Sequence, residues 1–551
     1  MNSPKPALVT QRGARRLPRL ALWLLCAAYV LPGLIGRDPW RSADVSAFGL
    51  MMAIAEGRTS WWAPALGFVA ADTALLPHWL GAAFIAAGQG WLDPALAARL
   101  PFALLLALTL ALVWYSTYLL ALTEAAQPVA FAFGGEAEPV AYARAMADGS
   151  VLALMATLGL LQLGHETTPE LAQLFATALF LYGLAAAPFR AASARVAVLC
   201  GLPLLAGSGA PVMAVAAGLG GWLVCHQSRQ PQVRQYSSWV LGAAAAAAAL
   251  AWLLGAWRWR AQGLELSGLP GIARQWLWFL WPVWPLALWT LWRWRRQLLY
   301  RHLSVPLVVV AVALGANLAM AGSDRALMLA LPAMAVLAAF ALPTLRRSAA
   351  AAIDWFSMFF FSAWAVVIWV HYVALQTHWL PRPAANIARL APGFEPGFSV
   401  WALAFASAGS VAWLALLRWR TGRHRDAVWK SMVLPAGGVA LCWLLAMSIL
   451  LPPLNYVRSA LPLVQRLLPY LPQGACVAAP RLAPATVAAL EVHGGWRVDA
   501  RPEAASSGCG HLLRVTRARP APPAPAGWEL VAEVRRPTDR DELTQVFKRR
   551  P

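Results

Sequence analysis

The chain has 551 residues, 60% of them hydrophobic, and a formal net charge of +21. That apolar share is well above the roughly 45–50% of soluble domains. Apolar runs of about 20 residues recur from Leu20 to Leu451, which excludes a wholly water-soluble protein and marks a polytopic helical membrane protein. The positive charge sits in short loops and tails, as the positive-inside rule requires, so nucleic acid is not an expected partner.

Taken in chain order, residues 1–19 form a basic tail and residues 20–35 a first span. No small-residue cleavage site follows this span, so an uncleaved helix with a cytoplasmic N-terminus is expected. Residues 36–97 form the first outer loop. There Asp38, Asp44, Glu56 and Asp72 lie among Trp40, Trp61, Trp62 and His78. Within the loop, 46–56 and 76–87 are apolar but too short to span, which suits helices lying at the membrane surface.

A second span is expected at 98–122, followed by the polar stretch 124–147 with Glu136, Glu138 and Arg144. Further spans are expected at 150–163, 171–188, 196–225, 239–257, 276–292, 305–321, 326–342, 355–372, 400–417 and 432–451. The 196–225 run is interrupted at Gly207–Pro211 and reads as one kinked or broken crossing. The basic loops 293–302, 346–347 and 418–430 belong on one side. Keeping that parity requires either that 124–147 crosses, giving about thirteen spans, or that it does not and 196–225 counts twice.

Residues 452–551 change character. Runs at 475–479, 494–498, 511–516 and 529–534 read as strands and 484–493 as a helix, which predicts a small α/β domain. Cys476 and Cys509 fall there, either as a disulfide or as two thiols.

Three carboxylates lead as catalytic candidates. Asp44 and Asp72 share the outer loop, and Asp148 precedes the span starting at Ser150. Such groups take a proton from an acceptor hydroxyl or hold a cation; alternatively, Asp44 and Asp148 merely cap helices. Arg258, Arg260 and Arg274 are expected on the same outer side, where guanidinium groups suit a lipid-linked phosphate. Lone histidines such as His78 lack metal-ligand spacing, and no metal motif or nucleotide-binding loop occurs. The cofactor is therefore unknown, with a divalent cation left open.

Several blocks resemble the GT-C glycosyltransferases, in their bacterial protein O-mannosyltransferase and lipid A aminoarabinose transferase branch. Asp38-Pro39-Trp40, with Asp44 and Phe48-Gly49-Leu50, resembles the family's first-loop block. Ala98-Arg99-Leu100-Pro101 matches its A-R-L-P, Asp148 its lone Asp before a later helix, and Asp324-Arg325 through Leu331-Pro332 its late R-Y-x-L-P block. The resemblance implies an all-α GT-C-like membrane domain over 20–451, with interfacial helices in the first outer loop, and a small periplasmic α/β domain over 452–551. It further implies an inner-membrane enzyme that moves a sugar from a polyprenyl-phosphate donor to an unknown acceptor in contact with membrane lipid. Asp44, Asp72 and Asp148 would be the catalytic positions, with Trp40, His78, Arg258, Arg260, Arg274 and Arg325 binding substrate. It also favours Asp148 on the outer side. This chain departs from the pattern at the acidic doublet, which reads Ala43-Asp44. It departs again at two family lysines, replaced within Asp72-Thr73 and Ala206-Gly207-Ser208-Gly209. A catalytically impaired, lipid- or partner-binding relative is the alternative.

Overall fold

The computed structural model describes residues 7–71, 74–257, 266–377, 379–421, 427–517, 523–539 and 541–550. Helix α1 (Arg19–Val30) leads into a loop that turns at Gly33 and Gly36, both at positive φ. The first loop then holds α2 (Arg41–Ala55), a tight hairpin of β1 (Ala65–Leu66) and β2 (Val69–Ala70), and α3 (Leu75–Gly88). The two short helices expected in this loop are thus present. Helix α4 (Pro94–Ala121) starts where Asp93 accepts a bond from the Leu96 N–H and Pro94 supplies a preset φ.

The membrane domain continues through α5 (Pro139–Met155), α6 (Leu158–Leu163), α7 (Pro169–Ala186), α8 (Ala191–Gly207), α9 (Pro211–His226) and α10 (Pro231–Leu253). Next come α11 (Leu269–Phe279), α12 (Val283–Arg293), α13 (Arg301–Ala319), α14 (Asp324–Met328) and α15 (Leu331–Ala341). It closes with α16 (Arg347–Thr377), α17 (Pro381–Leu390), α18 (Val400–Thr421) and α19 (Lys430–Ser448). Among the described residues, 7 helices are long and apolar enough to cross a membrane, and shorter apolar helices pack between them. The chain is a multi-pass membrane protein.

Of the two alternatives for 124–147 and 196–225, the non-crossing one holds, and the single-helix reading of 276–292 is corrected. Residues 124–138 do not form a crossing helix. Apart from a short 3-10 turn they are irregular, and they lie against the N-terminal segment: Val129 N–H donates to Ala7, and Ala137 N–H to Val9, at 3.0 Å each. Pairing with a second extended segment satisfies backbone groups that a charged lipid-facing segment would leave open. The 196–225 run is two helices, α8 and α9, which double back so that Gly218 faces Leu202. The 276–292 run is likewise two, α11 and α12, separated at Trp281-Pro282, where proline removes a backbone donor.

The basic loops collect at one end of the bundle. Trp429 Nε1 donates to Arg15 O at 2.7 Å, and Trp289 Nε1 to Thr344 Oγ1 at 3.0 Å. The His302 ring sits 4.8 Å from Trp294 and 5.1 Å from Phe340. Gly149 lies against both Leu342 and Trp429, so the N-terminal segment and all three basic loops share a face.

Beyond α19, α20 (Leu451–Arg458) and α21 (Leu461–Leu467) lead to β3 (Cys476–Ala478), α22 (Pro484–Gly494), β4 (Arg497–Asp499), β5 (His511–Thr516), β6 (Trp528–Arg535) and β7 (Leu543–Arg549). The sheet order is β4-β3-β5-β7-β6, with β3 parallel to β4 and β5, and β7 antiparallel to β5 and β6. Strand β7 had no sequence expectation, because its apolar and polar residues alternate over only a few positions. Cys476 and Cys509 form a disulfide with Cα atoms 4.9 Å apart, so the two-thiol alternative falls. This small domain sits on the first loop. A Cβ at Gly49 would lie 2.4 Å from that of Ala488, and Arg58 pairs with Glu491 at 2.5 Å.

Candidate active site

The site begins with the turn after α1. Arg37, Asp38, Pro39 and Trp40 lead into α2, and Asp44 lies in that helix's first turn, where an acid complements the macrodipole. Asp44 Oδ2 accepts from the Trp40 N–H at 2.9 Å, reaching back to the helix's first free donor. Its Oδ1 accepts from both the N–H and the hydroxyl of Thr167, each at 2.8 Å. Asp44 is fully buried, so these charge-assisted bonds carry much of what holds the loop.

The 164–168 loop between α6 and α7, with Glu170 in the first turn of α7, brings the other half. Glu166 pairs with Arg325 of α14 at 2.6 Å, and Arg325 reaches Glu170 at 3.0 Å and the Thr168 hydroxyl at 2.9 Å. Burial pushes the Glu166 carboxyl above its usual range and the nearby Asp44 charge adds to this, while Arg325 pulls it back. Burial works against the Arg325 charge, but Glu170 and Glu166 hold its guanidinium above its usual range.

Arg37 lies between these groups. Its Nη2 donates to His165 O and stands 4.0 Å from Asp44 Oδ2, while its Nε and Nη1 are buried without a partner. Burial pushes this guanidinium below its usual range against the pull of Asp44 and Glu166. Arg99 of α4 is also buried, with an unpartnered Nε. It lines a cavity of about 10 Å³ with His165, Gly33 and Leu171, room for about one water. Arg37 does not line this cavity, but its charge acts on Arg99, so two buried guanidinium groups with free donors lie close to the Asp44 and Glu166 carboxylates.

Trp40 completes the wall. Its ring lies 5.4 Å from both the Arg37 and the Arg458 guanidinium carbons, and its Nε1 donates to Asn455 Oδ1 at 2.9 Å. Asn455 also accepts from the Asp38 N–H at 3.2 Å. Helix α20 therefore fastens the Asp-Pro-Trp turn, and the C-terminal segment begins by building the site.

The structure thus brings together Trp40, Asp44 and Arg325 of the sequence candidates. Asp148 is placed elsewhere. It lies within α5 rather than at a helix start, and accepts from the Leu17 N–H at 2.9 Å and Trp114 Nε1 at 2.8 Å. Leu17 precedes α1 and Trp40 follows it, so about 18 Å of helix separates Asp148 from Asp44. Asp148 therefore does not join Asp44 in one site, as the sequence candidates had it. His78 is buried on α3 with Nδ1 unpartnered, and Arg274 is exposed on α11; neither is bonded to the Asp44 centre. Asp72, Arg258 and Arg260 lie outside the described residues.

Sequence reasoning missed Arg37 and Glu166. The available signal was the polar run His165-Glu166-Thr167-Thr168-Pro169-Glu170, wedged between two apolar stretches. Among the described residues, no cluster of three or more His, Cys, Asp or Glu side chains is placed to hold a metal ion.

Fold and site together define a multi-pass membrane protein with a carboxylate–guanidinium centre at the bundle end away from the basic loops. No protein-family model matches the chain, and no curated protein sequence does. Solved structures do match. The chain shares its fold with ArnT from Cupriavidus metallidurans bound to undecaprenyl phosphate, at TM-score 0.56 and 13% identity, over 96% of this chain and 97% of that one. The same protein in the apo state matches at TM-score 0.56 and 14% identity, over 96% of each chain. ArnT has the GT-C fold, so the GT-C-like architecture expected from the sequence is present in this chain.

Proposed function

We propose that this chain is an inner-membrane glycosyltransferase that moves a sugar from a polyprenyl-phosphate donor to a lipid, glycan or protein acceptor at the periplasmic face. The observation that carries the reading is the Asp44 carboxylate, set beside buried guanidinium groups with free donors, in a fold shared end to end with a protein that binds undecaprenyl phosphate. The disulfide and the gathering of basic loops with the N-terminus on the other face support this orientation.

In this mechanism the acceptor hydroxyl gives its proton to Asp44 as its oxygen attacks the sugar's anomeric carbon. The bond from that carbon to the phosphate oxygen breaks, and the carrier leaves as a phosphate monoester. Arg37 and Arg99 attract the phosphate by charge, and their free donors reach it only when the carrier opens the one-water space beside them. Arg325 holds Glu166 and Glu170 in place. Asp44 is closed off by Thr167 and Trp40, so the acceptor displaces the Thr167 hydroxyl to reach Oδ1.

The test is transfer by the purified full chain across a panel of polyprenyl-phosphate sugars, with Asp44→Asn beside it. Retained transfer in the variant overturns the Asp44 assignment. The saturation of Asp44 by three protein donors favours a second reading, a relative that binds the carrier lipid or a partner without transferring a sugar. Lipid binding with no transfer across the whole panel selects it.

A further inference from the structure

A second feature lies between α1, α18 and α19 and is independent of sugar transfer. Helix α19 packs against both α1 and α18, which stand apart as walls on either side of it. The space between them is a groove of about 510 Å³, within the roughly 300–1,000 Å³ of ligand sites. Its lining is apolar, with small residues such as Ala28, Ala412 and Gly437 set among larger ones such as Leu24, Trp413 and Leu441. Helix α18 is scarcely buried by the rest of the protein, so the groove opens sideways into the bilayer.

The end of the groove is not apolar. Leu17 and Pro18 line it on one side and Trp419 on the other, and Trp419 stacks on Trp429, whose Nε1 holds Arg15 O. Arg15, Arg19 and Arg418 flank these residues; all three are exposed, and among the described residues none has an ion pair. Neighbouring Arg420 is neutralised by Asp354. A lined apolar slot ending in three unpaired cations matches one chemistry, an acyl chain with an anionic head.

We propose that this groove seats an acyl chain of an anionic glycerophospholipid whose phosphate lies against Arg15, Arg19 and Arg418. The chain fills the space between α1 and α18 that the protein leaves open, and the head neutralises the arginine cluster.

Native mass spectrometry of the full chain in mild detergent tests this, using phosphatidylglycerol, phosphatidylcholine of the same acyl chains, and undecaprenyl phosphate. One phosphatidylglycerol is expected to be retained in preference to the other two. Exchanging the three arginines for glutamine is expected to weaken its binding about fivefold per arginine, roughly a hundredfold in all, while phosphatidylcholine is unaffected. Ala412→Phe, which fills the slot without touching the arginines, is expected to abolish the one-to-one complex. Circular dichroism on each variant confirms that the fold persists. Equal retention of the two phospholipids, preference for undecaprenyl phosphate, an unchanged Ala412→Phe complex, or a protein dimer closing the groove each overturns the proposal.

Discussion

Asp44 and Thr167, 123 residues apart, are joined by two 2.8 Å hydrogen bonds onto one carboxylate oxygen. This contact ties the first loop to the loop between α6 and α7. Asp44→Asn keeps the shape but removes the charge and turns one acceptor into a donor. The expected loss is about 1.5–3 kcal/mol of stability, because hydrogen bonds to a charged group are the stronger kind. Transfer is expected to fall roughly a hundredfold or more, the scale of a lost general base. Thr167→Val removes only the hydroxyl bond and is expected to cost about 1 kcal/mol. Thermal unfolding in detergent and initial transfer rates separate the two effects.

Glu166 gives a pH prediction. Its folded pKa is raised, chiefly by burial. Between the unfolded and folded values, the folded state holds a proton that the unfolded state has lost. The stability linked to that proton is therefore complete below the unfolded pKa and is lost as pH rises through the folded one. Glu166→Gln is permanently neutral and lacks this slope. The melting temperature of the wild type is expected to decline relative to Glu166→Gln as pH rises from the ordinary carboxylate range. A constant difference between the two proteins across pH refutes it.

Much of this architecture was legible in the sequence for physical reasons. The apolar spans are local signals that keep their meaning in the fold, and Asp44 and Arg325, picked out by local motifs, fall close together around the Thr167 loop. Glu166 and Arg37 were not legible, because their importance comes from contacts with Arg325 and His165, 159 and 128 residues away in the chain. Asp148 misled for the opposite reason. As a lone acid before an apolar run it looks like a helix cap, but the helix starts earlier, at Pro139, and the carboxylate is consumed by Leu17 and Trp114. Hydropathy also cannot distinguish a polar crossing from a polar stretch folded against another segment, as residues 124–138 are.

The Cys476–Cys509 bridge closes a 33-residue separation. Loop-closure entropy makes such a bond worth about 3–4 kcal/mol. The Cys476→Ser/Cys509→Ser pair is expected to melt earlier by a margin that reductant reproduces in the wild type. Without reductant, neither thiol is expected to react with a maleimide in protein taken from cells, whereas both react after reduction and unfolding. Full alkylation of Cys476 and Cys509 in unreduced protein would place this domain in a reducing compartment.

Gly49 sets how closely the C-terminal domain approaches the site. It lies on α2, the helix that carries Asp44, and a Cβ there would stand 2.4 Å from Ala488 Cβ and 3.1 Å from Ala488 Cα. Close-packed interiors do not absorb such an overlap without moving backbone. Gly49→Ala is expected to cost about 1–3 kcal/mol, as overpacking does. It should also lower transfer, since α2 shifts against the loop that holds Thr167. Ala488→Gly removes the nearest clashing atom but costs about 1 kcal/mol as a helix-interior glycine. The double variant is therefore expected to be more stable than the two single losses added together, a favourable coupling that a double-mutant cycle reads directly. Strictly additive losses would mean that α2 and α22 are not in contact at this point, and that the domain does not position Asp44.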